Sequence, residues 1–153
     1  TDDGRVLLLD AHTGLPFGPP LHGHKDRVAA AAFRFVDGET VLASAGYDMT
    51  VRLWNAAVGV AIGQPLQGHV DWVESLTFMT IDGRNVLLSG SADKTLRVWD
   101  AKSHEPLAAL RRRARVRSLA VNPSESRLAV GEDTGVAVLR FDVSTRALQV
   151  EPT

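Results

Sequence analysis

The sequence predicts an all-β chain made of repeated units of four antiparallel strands, and three observations carry that prediction. Sliding the sequence by 45 residues lays it on itself without a gap over more than fifty positions. Asp3, Asp48 and Asp93 come into register, as do Leu9, Trp54 and Trp99, then Asp10, Asn55 and Asp100. Gly23-His24 meets Gly68-His69, while Phe33, Val41-Leu42 and Ser44 meet Phe78, Val86-Leu87 and Ser89. Within each unit, short runs alternate side chains with the period of two that a strand requires. Asp37-Gly38 and Asp82-Gly83, a dipeptide that tolerates positive φ, break those runs at the same offset.

The elements follow in order. The first strand covers 28–33 and again 73–78, and the small residues 29–32 suit an innermost strand where sheets crowd around an axis. After the Asp-Gly turn the second strand covers 41–44 and 86–89. A tight turn carries Asp48 or Asp93. The third strand covers 50–54 and 95–99, with Val51 and Leu53 on one face and Arg52 and Trp54 on the other. The fourth is a weak edge strand, interrupted by Gly and Pro and placed before Pro65 and Pro106; proline there discourages further pairing. The chain opens on what reads as a third strand, 5–10, with Leu9 where Trp is expected. After Asp100 the unit degenerates: Gly-His is absent, Arg115-Val116 replaces Trp72-Val73, Asn122-Pro123 stands near the turn, and Phe141-Asp142 stands in for Trp-Asp.

Four strands every 45 residues, opened by Gly-His and closed by Trp-Asp, resemble the WD-repeat family of β-propellers. The resemblance covers nearly the whole chain and is strongest from Gly23 to Asp100. The Gly-x-Pro-Leu-x-Gly-His spacing is similar to that of bacterial and fungal multi-repeat members. The resemblance implies four divisions: 1–22, the end of a preceding blade with its third and fourth strands; 23–67 and 68–110, two WD-repeat blades; and 111–153, a degenerate blade. That is an incomplete ring of about three and a half blades, whereas propellers close with roughly four to eight. The expectation is a piece of a longer protein, or a chain whose ring is completed by another chain.

Composition bounds the function. Hydrophobic residues make up 44% and charged residues 23%, which is ordinary for a globular domain. A net charge of −1 gives no global pull toward nucleic acid or an anionic membrane. No cysteine is present, so disulfides and thiolate metal sites are excluded. No apolar run approaches a membrane span and no charged-then-apolar leader opens the sequence; a cytoplasmic protein with no membrane partner is expected, with any targeting signal left to the parent protein.

Each good unit contains a Ser, a His and an Asp, which invites a hydrolase reading. The resemblance implies instead a buried tetrad within one blade, in which Trp54 donates to Ser44, Ser44 to His24 and His24 to Asp48, with Trp99, Ser89, His69 and Asp93 repeating it. A set appearing twice at one spacing is architecture, so no catalytic residue is expected and the chain reads as a non-enzyme. His12, His22 and His104 lack ligand spacing; His22 and His24 alternate on one strand face, but a third ligand is missing, so neither metal nor cofactor is expected.

The resemblance further implies a protein–protein interaction scaffold. Its partners, of unknown identity, dock on the loop-bearing top face. The contact positions are the residue before the first-strand Val, the residue two further on, and the residue before the turn Asp: Arg27, Ala29 and Tyr47, then Trp72, Glu74 and Ala92. Trp72 either meets a partner or packs on the neighbouring blade. Arg111, Arg112, Arg113, Arg115 and Arg117 place five of seventeen basic residues in seven positions. Arg115 and Arg117 share a strand face at the contact positions, and 111–113 lie in the loop. This run is a solvated loop, a seat for an acidic protein, or, as the alternative function, a nucleic-acid or phosphate site.

Overall fold

A computed structural model describes residues 3–122, 127–142 and 147–150. Among the described residues, twelve strands form three four-stranded antiparallel sheets. The first holds β1 (Val28–Val36), β2 (Glu39–Gly46), β3 (Val51–Asn55) and β4 (Val60–Leu66) in sequence order. The second holds β5 (Val73–Ile81), β6 (Arg84–Ser91), β7 (Thr95–Asp100) and β8 (Pro106–Arg111). The third holds β9 (Val116–Asn122), β10 (Arg127–Glu132), β11 (Gly135–Asp142) and β12 (Ala147–Val150). β1 packs beside β5 and β5 beside β9, so the first strands line the inside of an open arc. No helix occurs among the described residues.

Local chemistry sets these elements. Asp37-Gly38 and Asp82-Gly83 take positive φ at both residues, the two-residue turn whose twist matches the strands it joins. The turns let β1 and β5 run three residues beyond the predicted ends. Period-two alternation gives the first two sheets an apolar residue set on each face. Val41, Ala43, Ala45, Val51 and Leu53 pack on Leu76, Phe78, Leu87 and Trp99 of the second sheet. The opposite face of that sheet, with Met79, Val86, Leu88, Leu96 and Val98, packs on Val116, Leu128, Val130 and Leu139 of the third. The repeat contains its own control: Phe78 is 7% exposed beneath the first sheet, whereas Phe33, at the same repeat position, is 59% exposed. Polar straps join the sheets at the Asp-Gly end, with Arg34 donating to Thr80 and Asn85, and Lys102 paired with Asp37.

The structure corrects several expectations. Residues 5–10 form no named strand; they make an irregular hairpin with 15–21 through the isolated bridges Val6↔Leu21 and Leu9↔Pro16. No second strand pairs with this segment among the described residues, so nothing extends the ladder. Val6 and Leu21 still bury against Leu42 and Trp54. The fourth strands contain their prolines rather than preceding them: Pro65 lies within β4 and Pro106 opens β8. Each sits on a sheet's outer edge, where a missing N–H costs no ladder bond. His22 and His24 lie outside any strand and share no strand face. Arg111 ends β8 and Arg115 precedes β9, so Arg115 and Arg117 are not on one strand and Arg111 is not in the loop. Pro123 lies outside the described residues, and Phe141-Asp142 falls at the end of β11.

Candidate functional site

The second unit's polar network lies where the first two sheets meet, and the first unit's lies under the irregular hairpin that carries Val6 and Leu21. Trp99 Nε1 is 2.9 Å from Ser89 Oγ, Ser89 Oγ is 2.8 Å from His69 Nε2, and His69 Nδ1 is 2.8 Å from Asp93. The first unit repeats it at 2.8 Å for both Trp54–Ser44 and Ser44–His24, and 2.9 Å for His24–Asp48. The proton positions follow by elimination. An indole N–H can only donate, so the hydroxyl accepts it and gives its own proton to Nε2. Nδ1–H then donates to the carboxylate. The backbone N–H of Lys25 or Val70 donates to the same carboxylate, which ties the loop to the turn.

Both histidines are held neutral. Burial lowers the pKa of His24 and His69 below the usual 6.5 and outweighs the raising effect of Asp48 and Asp93. Burial alone would raise the two carboxylates, but their hydrogen bonds and the histidines together carry them below 3.8. Ser–His–Asp distances of this kind would suit a hydrolytic triad. Access decides otherwise: Ser44 and Ser89 are 0% exposed and each hydroxyl already accepts an indole N–H. No substrate carbonyl can reach either oxygen in this arrangement.

The end of the molecule that carries the Gly-His loops and the β2–β3 and β6–β7 turns holds the second constellation. Tyr47 N–H donates to the Arg27 carbonyl at 2.8 Å, and Ala92 N–H donates to the Trp72 carbonyl at 2.9 Å, so the residue before β1 or β5 meets the residue before the turn Asp. Gly46 permits the first approach, since a Cβ there would stand 2.3 Å from that Arg27 oxygen. Tyr47 then lies flat on Trp72 of the next sheet, with ring centres 4.3 Å apart and planes 4° apart. Arg27 lies 5.5 Å from the Tyr47 ring centre and Arg115 lies 5.6 Å from that of Trp72. A parallel stack at 4.3 Å has no room for a guanidinium inside it, so each arginine caps an outer face. Four layers from three sheets form one strap. Trp72 thus packs on its neighbour and still keeps 39% of its surface exposed. Ala29 is exposed and Ala92 buried, so of the two small contact positions only the first is open.

Most of the arginine run is neutralised internally. Arg112 pairs with Glu132 at 2.6 Å, and both side chains are at most a tenth exposed. Arg115 donates to Glu74 at 3.0 Å, with Arg117 3.6 Å from the same oxygen, and Arg117 also pairs with Asp133. Glu74 Oε2 and Arg115 Nε are buried without a hydrogen-bond partner among the described residues. Sequence reasoning missed Glu132 and Asp133, which stand 20 residues from Arg112 and 16 from Arg117. A signal was available: Glu132-Asp133 occupies the degenerate unit's turn, where Tyr47-Asp48 and Ala92-Asp93 stand, and Asp133 takes an arginine in place of the absent histidine.

Among the described residues no group of three metal-ligating side chains converges, and no helix is long and apolar enough to cross a membrane. His12 and His22 are exposed, and His104 lies against Gly63 of the first sheet.

Comparison with known proteins agrees with this arrangement. The family profile of the WD domain, G-beta repeat, matches residues 18–55 and 61–100, which together make up half of the chain. No curated protein matches the sequence. The fold is similar to a crystal structure of RRP9 WD40 repeats, with a TM-score of 0.80 and 22% identity over 97% of this chain and 45% of that one. It is also similar to a structure of U3-55K, with a TM-score of 0.78 and 23% identity over 97% of this chain and 46% of that one. The chain therefore spans about half the length of these neighbours.

Proposed function

The chain belongs to the WD domain, G-beta repeat family, and on that premise we propose that it is a non-catalytic scaffold that holds protein partners on its loop-bearing face. Domains of this family generally act as protein-interaction scaffolds. The proposed contact residues are Arg27, Tyr47, Trp72, Glu74, Arg115 and Arg117. The observation that carries the proposal is the Arg27–Tyr47–Trp72–Arg115 strap, which gathers the aromatic and arginine side chains favoured in binding hot spots from three sheets into one partly exposed surface. The complementary observation is that the serines and histidines of both Ser–His–Asp sets are buried, which supports reading them as struts. On this reading residues 23–67, 68–110 and 111–153 act as three blades and 1–22 as the end of a fourth.

The test compares variants for a captured partner. Trp72→Ala combined with Arg27→Ala should weaken binding by about 2 kcal/mol or more, as loss of a hot-spot aromatic and of the arginine at the other end of the same strap does. Arg84→Ala, beside the Asp-Gly turn at the opposite end, should change it by less than about 0.5 kcal/mol, as surface substitutions away from such features do. Equal losses from both would refute the assignment of the loop face.

A further inference from the structure

Three cations on the same face stand outside every internal pair. Lys94, Arg111 and Arg113 are exposed, and their side chains have no ion-pair or hydrogen-bond partner among the described residues. They are neighbours in space. Lys94 precedes Thr95, whose Cα partner across the ladder is Arg111, and the Lys94 carbonyl accepts the Arg112 N–H at 2.8 Å. Arg112 turns inward to Glu132, while Arg111, at the end of β8, and Arg113, in the bend that follows, stand exposed. The cluster adjoins the aromatic strap: Arg113 is two residues from Arg115, and Lys94 is two residues from Ala92, which bonds the Trp72 carbonyl.

The carboxylates nearby are committed elsewhere. Asp93 belongs to the tetrad, Glu132 holds Arg112, Asp133 holds Arg117, and Glu74 holds Arg115. Asp71 turns Oδ1 back onto the Trp72 amide. Three full positive charges therefore face solvent on the end of the molecule that also carries the partly exposed Trp72.

We propose that the partner docks through an acidic peptide segment, its carboxylates on Lys94, Arg111 and Arg113 and an adjacent apolar side chain against the edge of Trp72. This rests on the scaffold reading above and names the chemistry of its partner. Single-stranded nucleic acid fits the same charges less well. Its affinity draws on bases stacked on open aromatic faces, and here Tyr47 covers one face of Trp72 and Arg115 the other.

The experiment is fluorescence anisotropy of a labelled synthetic peptide with paired glutamates on either side of a leucine, titrated with the chain at low and near-physiological salt. A labelled oligo(dT) strand is titrated in parallel. The peptide should bind, weaken as salt screens the contacts, and bind about tenfold more weakly to the Lys94→Gln, Arg111→Gln, Arg113→Gln variant, the loss expected for three exposed ion pairs. Near-ultraviolet dichroism of the tryptophans verifies that this surface variant stays folded. Peptide binding unchanged in the triple variant overturns the proposal, as does oligo(dT) binding more tightly than the peptide. If a natural partner is lost by Trp72→Ala with Arg27→Ala but kept by the triple variant, the scaffold reading stands and the acidic segment falls.

Discussion

Replacing Ser89 by alanine separates a strut from a nucleophile. The side chain is fully buried, and its oxygen joins two other buried groups: it accepts from Trp99 Nε1 at 2.9 Å and donates to His69 Nε2 at 2.8 Å. Alanine leaves the indole N–H and the imidazole nitrogen without partners while changing little volume. Each buried polar group so orphaned costs about 1–3 kcal/mol, for a total of roughly 2–6 kcal/mol. For a chain of this size each kcal/mol lowers Tm by about 2–4 °C, so a fall near 10 °C is expected. The assay is thermal unfolding followed by tryptophan fluorescence, with exposed Ser103→Ala as the control expected to stay within about 0.5 kcal/mol of the parent. A Tm within a degree or two of the parent would refute the strut argument. So would an ester-hydrolysing activity that disappears in Ser89→Ala while stability is unchanged.

Further expectations rest on the same structure. Phe78→Ala removes a ring buried between two sheets and should cost about 3–5 kcal/mol by denaturant titration, whereas Phe33→Ala, more than half exposed at the equivalent position, should cost under about 1 kcal/mol; equal losses would contradict the sheet stacking. Stability should fall with acid in two stages. His24 and His69 have folded pKa values below the usual 6.5, so the unfolded chain takes up protons first; their contribution is complete above about 6.5 and is lost as pH falls beneath it. Asp48 and Asp93, lowered from 3.8, add a second loss as pH falls below about 4, and a denaturation midpoint flat between pH 7 and 4 would contradict the neutral histidines.

What the sequence could reveal depended on whether the relevant partners recur. The tetrad residues stand at the same offset in two units, which marks them as architecture, and the family resemblance is what implies that Trp54, Ser44, His24 and Asp48 form one group. The two-residue turns were legible because Asp-Gly names its own backbone geometry. Strand ends were not, since they depend on how far the ladder runs: Pro106 can open β8 only because its nitrogen faces the free edge. The arginine run shows the limit most clearly. The sequence displays the cations together, but their carboxylates come from other strands, with Glu74 41 residues from Arg115. Charge that looks available along the chain is largely spent in space, and Arg111 and Arg113 differ from Arg112 in that they stand exposed while Arg112 reaches inward to Glu132. Trp72 raised a choice between packing and contact; stacking on Tyr47 with an exposed edge provides both.

The most direct test of the scaffold account is amide hydrogen exchange of the chain alone and bound to a captured protein partner. The account predicts slowed exchange at residues 26–28, 46–49, 71–74, 91–95 and 111–117, with the turns at 37–39, 82–84 and 101–104 unchanged. Protection confined to those turns, with the loop-bearing face exchanging as in the free chain, would contradict it.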